Sequence, residues 1–113
     1  MNDYLTIENG VVIDCNTDAI NVVIPDGVTS IGVCAFAYCK SLKSIIIPNG
    51  VTSIGVSAFE GCFNLKSVTI PNGVTFIGDG AFEGCENIMI HCYKNSYAEE
   101  YAKKNDIPYK ITD

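Results

Sequence analysis

Val28–Gly50 reads VTSIGVCAFAYCKSLKSIIIPNG and Val51–Gly73 reads VTSIGVSAFEGCFNLKSVTIPNG, identical at 16 of 23 positions. Val74 opens a third copy, VTFIGDGAFEGCENI, which ends near Ile88. A worn copy precedes them at Leu5–Gly27 and closes in INVVIPDG. A fixed period in the low twenties marks a solenoid. Each repeat is one coil, unable to bury its apolar face alone and completed by its neighbours. Function in such a fold lies on a surface, so the repeat points to binding rather than to catalysis.

Each copy divides into three parts. The β-branched runs in Leu42–Pro48 and Leu65–Pro71 predict short strands, ended by Pro48 and Pro71 because proline cannot donate to a ladder. The Asn-Gly pairs that follow, and Asp26-Gly27 upstream, turn the coil. The VTSIG part supplies inward positions, Val28, Val51 and Val74 with Ile31, Ile54 and Ile77. The AFxxC part, preceded by Gly32, Gly55 and Gly78, reads as one helical or 3₁₀ turn. Like residues then form columns: Phe36/Phe59/Phe82, Leu42/Leu65/Ile88, Ile24/Ile47/Ile70 and Cys39/Cys62/Cys85. All are expected in the core.

The chain reads as one domain over residues 1–113, with a degenerate repeat at 5–27, repeats at 28–50, 51–73 and 74–92, and a cap at 93–113. An open solenoid needs caps at both ends. Ser96-Tyr97-Ala98-Glu99 fits a capping box, and a helix follows to about Lys104. Ala98, Tyr101 and Ala102 share one face, while Lys103 and Lys104 sit where the helix dipole favours cations. Ile107-Pro108-Tyr109 leads into a last extended piece. At the other end Glu8, Asn9, Asp14 and Asn16 interrupt the columns of the worn copy, as suits an end coil exposed to water. A weakly capped N-terminal edge makes a homo-oligomer through that edge conceivable.

Apolar residues make up 48% of the chain, enough for one continuous core. The formal net charge is −6, from seven lysines, thirteen acids and no arginine. That balance counts against nucleic-acid and phosphate partners, which favour the guanidinium fork and a basic patch. Met1-Asn2-Asp3-Tyr4 lacks the basic start and apolar run of a signal peptide. The expected location is therefore cytoplasmic, unless the chain is a module of a longer secreted or surface protein. No stretch approaches the roughly 20 apolar residues of a membrane span, so membrane insertion is not expected.

Cysteine placement favours core thiols over a disulfide framework or a metal site, because stacked coils do not converge ligands tetrahedrally. Cys15, Cys34 and Cys92 are read as lying off the column. Cys34 aligns with Ser57 and Gly80 and is the candidate reactive thiol. His91 is the only histidine and sits in no catalytic arrangement. A Cys92–His91 pair is disfavoured because adjacent strand residues face opposite ways. No phosphate loop or dinucleotide fingerprint appears, so no catalytic residue, cofactor or metal is expected.

The string I-P-[DN]-G-V-T-x-I-G-x-x-A-F-x-x-C-x-x-L, met at Ile24–Leu42, Ile47–Leu65 and Ile70–Ile88, resembles the BspA-like (Treponema-type) leucine-rich repeat family. The tail Ser96–Ala102 resembles the closing segment of such arrays. The resemblance implies a β-rich, right-handed leucine-rich-repeat solenoid, with a parallel sheet, short helical turns and a C-terminal capping helix. It also implies adhesion or host-protein binding and no catalytic residues. This chain is short, and its opening residues do not read as an export signal. Those features, with its acidity, motivate a second reading: a small cytoplasmic inhibitor, carried by a mobile element, that blocks a larger protein machine.

If the sheet follows the leucine-rich pattern, its outward residues are Ile20, Asn21 and Val23, then Lys43, Ser44 and Ile46, then Lys66, Ser67 and Thr69. These are the candidate partner-binding residues, for a partner that is another protein. Met89-Ile90-His91-Cys92 breaks the pattern, which leaves its register open. Four strands at about 4.8 Å spacing span under about 20 Å.

Overall fold

The β-branched run of each copy forms a three-residue strand, and each strand pairs in parallel with the same run of the next copy. The computed structural model describes residues 4–112. Met1, Asn2 and Asp3, used above in the targeting argument, lie outside the described residues, as does Asp113. The elements in chain order are β1 Leu5–Glu8, β2 Val11–Cys15, β3 Asn21–Val23, β4 Ser30–Ile31, β5 Ser44–Ile46, β6 Ser53–Ile54, β7 Ser67–Thr69, β8 Phe76–Ile77, β9 Met89–Cys92, α1 Tyr97–Lys104 and β10 Tyr109–Ile111.

They build a solenoid with two sheets on opposite sides of one core. The first sheet has the order β1-β2-β4-β6-β8 and the second β10-β9-β7-β5-β3. The VTSIG segments, read from sequence only as inward positions, are themselves the strands β4, β6 and β8 of the first sheet. The second sheet has five strands rather than the expected four, because the last extended piece, β10, pairs in parallel with β9.

The AFxxC segment is a stacked turn, not a helix. The N–H groups of Ala35, Ala37 and Cys39 donate to carbonyls three residues back, at 3.1–3.2 Å. Those of Cys34, Phe36 and Tyr38 donate to Val56, Ala58 and Glu60 of the next coil, at 2.7–3.1 Å. A helix would keep every bond within its own turn. Here alternate amides point along the stack, which Cys34 and Tyr38 permit with φ of 58° and 61°. Ser57 and Gly80 repeat the left-handed backbone of Cys34, with φ of 56° and 66°.

The columns close as expected. Phe36 stacks on Phe59 at 4.9 Å between ring centroids, and Phe59 on Phe82 at 5.2 Å. The leucine and isoleucine columns are buried throughout. The Cys62 thiol donates to the Phe36 carbonyl at 3.0 Å and that of Cys85 to the Phe59 carbonyl at 3.1 Å. Cys15 corrects the sequence reading: it ends this column, with the Cys39 sulphur 3.9 Å from its carbonyl. Its spacing of 24 residues rather than 23 hid the alignment. The coils approach so closely at the repeat glycines that a Cβ on Gly78 would lie 2.5 Å from the Val56 nitrogen.

Both caps are ordered by local chemistry. Asn9 and Gly10 both have positive φ, 52° and 79°, as a tight hairpin turn requires. They fold β1 back antiparallel on β2, which pairs the edge read as open in the worn copy. At the far end Ser96 caps α1, its Oγ accepting from the Glu99 N–H at 3.1 Å. Glu99 reaches past the cap residue, and its carboxylate accepts from the Asn95 N–H at 2.6 Å. Ala98 and Ala102 are buried, and Tyr101 sets its ring edgewise against Phe82 at 6.2 Å.

Candidate functional site

The second sheet brings the sequence-predicted residues onto one face. Strand alternation buries Val22, Ile45, Val68 and Ile90 and turns their neighbours outward. Register places Val23, Ile46 and Thr69 side by side in one row. Asn21, Ser44 and Ser67 form a second row, where the Ser44 hydroxyl donates to Asn21 Oδ1 at 2.7 Å. Ile20, Lys43 and Lys66 precede the strands and are exposed. All nine candidates therefore share this side, and Val23, Ile20 and Ile46 are its apolar groups left 63%, 50% and 48% exposed, with Val23 and Ile46 adjacent in one row.

Sequence reasoning missed four further members. The register of β9 is now defined: Met89 lies opposite Ser67 and His91 opposite Thr69, after a copy shortened by one residue. Strand β10 adds Lys110 beside His91, so one row runs Val23, Ile46, Thr69, His91, Lys110. Tyr93 flanks the row where the strands end. It joins Val23, Ile46, Thr69, Pro48 and Pro71 around a shallow open groove of about 420 Å³. The signal for β10 was the short Tyr-Lys-Ile run, too brief to identify as a strand without its partner β9.

Charge is sorted between the sides of the solenoid. Strands β3, β5, β7, β9 and β10 contain no acid, and Asp26 alone among the acids lines the groove. The acids collect elsewhere, as at the stacked turns, where the Tyr38 hydroxyl meets a Glu60 carboxylate oxygen at 3.3 Å. The negative charge of Glu60 and this hydrogen bond push the Tyr38 phenol above its usual range.

Five of the six thiols are buried. The hydrogen bond to Cys39, then burial, pushes the Cys15 thiol far up, and the hydrogen bond to Cys85, then burial, does the same to Cys62. Burial pushes up Cys92, whose side chain faces the core while His91 faces out. Cys34 is exposed, as its alignment with Ser57 and Gly80 implied. Among the described residues, no group of three or more His, Cys, Asp or Glu is placed to hold a metal ion. Among them also, no helix is long and apolar enough to cross a membrane.

Known proteins share this architecture. A crystal structure of a leucine-rich repeat protein of T. pallidum matches with a TM-score of 0.67 and 29% identity, over 73% of this chain and 44% of that one. A leucine-rich cell surface protein of Faecalibacterium prausnitzii A2-165 matches with a TM-score of 0.55 and 26% identity, over 91% of this chain and 35% of that one. The chain thus spans less than half the length of either solved structure. No curated protein matches it. Residues 6–105 match the BspA type leucine-rich repeat region in six copies. With its coils, ladders and capping helix in place, the chain belongs to the BspA type leucine-rich repeat family.

Proposed function

We propose that this chain is a non-catalytic protein–protein interaction module that contacts its partner through the outward face of the second sheet, in the manner of an adhesin or host-protein binder. The observation that carries the reading is the pair Val23 and Ile46. Two aliphatic side chains stand exposed and adjacent on a rigid parallel ladder, beside a groove. Rigid placement lowers the ordering cost of binding. Family membership supports interaction as the general role, and the cell-surface description of the Faecalibacterium protein supports the adhesive setting. A standard interface buries about 800 Å² per partner, more than this small face offers, so a globular partner would also grip turns or a cap.

The test is the double variant Ile46→Asp, Lys43→Glu, both at exposed positions. The variant is expected to keep its circular dichroism spectrum and melting temperature, yet to lose the protein that the unaltered chain captures from native or host extract. Equal recovery of that protein by the variant would remove this face from the reading.

A further inference from the structure

We infer that the occupant of this face is an extended, acidic segment of another polypeptide, with an aliphatic side chain seated in the groove and carboxylates held by the lysine row. The inference rests on the proposed role of the second sheet and specifies its partner.

Three observations converge on that chemistry. The first is charge. On a protein of net charge −6, Lys43 and Lys66 directly precede strands, and Lys110 lies within a strand, of a sheet whose strands hold no acid. The second is that, among the described residues, no ion pair engages these ammonium groups. The one ion pair among the described residues joins Lys103 to Glu99, 3.7 Å apart on α1. Lys43 and Lys66 occupy equivalent places in adjacent coils, about 4.8 Å apart along the stack, where a bridging carboxylate relieves their mutual repulsion. The third is dimension. Five strands span about 19 Å across the stack, and an extended segment of about six residues covers the same length. That span matches a single strand of chain laid across the ladder.

The polarity of the face orients the segment. Lys43 and Lys66 lie where their strands begin, the groove of Val23, Ile46, Thr69 and Tyr93 lies where the strands end, and Lys110 lies within β10 in the row that includes Val23, Ile46 and Thr69. Asp26 stands on the groove side, so carboxylates are favoured at the lysine side and an uncharged aliphatic group at the groove. Nucleic acid also carries negative charge. This face has no arginine, and Tyr93 is the one aromatic residue at the groove, which favours polypeptide over stacked bases.

The experiment pans a phage-displayed library of short random peptides on the intact chain, then measures enriched peptides by fluorescence anisotropy. The expected result is enrichment of acidic peptides carrying an aliphatic residue. Their affinity should fall about tenfold in Lys43→Glu, Lys66→Glu, and fall steeply as salt shortens the screening length to a few ångströms. Peptides that lose binding in Ile46→Asp but show no acidic bias would overturn the acidic occupant and leave the sheet reading standing. Peptides that bind Ile46→Asp unchanged, or no enrichment at all, would overturn both. Tighter binding of a labelled oligothymidine than of the acidic peptides would overturn the polypeptide assignment.

Discussion

Phe59 shows what one residue contributes when its neighbours are copies of itself. Its ring lies between Phe36 and Phe82, nearly parallel to both, at interplanar angles of 16° and 1°. It is fully buried, and the backbone on either side is held in ladders to adjacent coils. Those ladders limit how far the coils can collapse into a void. Phe59→Ala is therefore expected to cost about 3–5 kcal/mol, read from the denaturant midpoint of unfolding. The same change at Phe82 should cost less, because Phe82 is 6% exposed and meets Tyr101 on one side rather than a third stacked ring. Equal losses at the two positions would show that stacking within the column contributes little beyond burial.

At the level of elements, one carboxylate ties α1 to the chain before its cap. Glu99 accepts the Asn95 N–H and pairs with Lys103, and its carboxyl is held below the usual range first by the Asn95 bond. A depressed carboxyl stabilises the folded cap above the unfolded pKa of about 4.3, and that contribution is lost as pH falls through the lower folded value. Glu99→Gln is expected to lower the melting temperature at neutral pH, with the gap to the unaltered protein closing below about pH 4. A gap that persists at low pH would assign the effect to packing rather than charge. The helix was legible in the sequence because its signal is local: Ser96 and Glu99 lie three residues apart. The strands β4, β6 and β8 were not, since two residues cannot display an alternation and their partners lie a whole repeat away. The stacked turns were read as a helical or 3₁₀ turn for a related reason. Ala-Phe within a short apolar run suits a helical turn, and only the next coil's carbonyls reveal that alternate amides leave it. On the candidate face, the nine residues were legible through the repeat, whereas His91 and Lys110 required the shortened copy and the returning strand β10.

For the whole molecule, each coil contacts chiefly the coils before and after it, so stability is a sum over repeats and their interfaces. Removing Val51–Gly73 entire joins Gly50 to Val74 and sets the Phe36 coil directly against the Phe82 coil. The shapes remain complementary: Ile45 would meet Ile90 as Val68 does now, and Ile31 would meet Ile77 as Ile54 does. Each sheet would shrink from five strands to four with both caps retained. The shortened protein is expected to fold and to unfold in one cooperative transition. Both its midpoint and the denaturant dependence of its unfolding free energy should be lower, because less surface is exposed on unfolding. Deleting the same number of residues from Ala58 to Gly80 keeps the 23-residue phase and should fold nearly as well, whereas deleting Ile46–Ser67, one residue short and cut within a strand, puts Val68 at the outward position after Ile45 and should lower the midpoint much further. If the out-of-phase deletion folds as well as the in-phase one, the stacked columns do not govern this architecture.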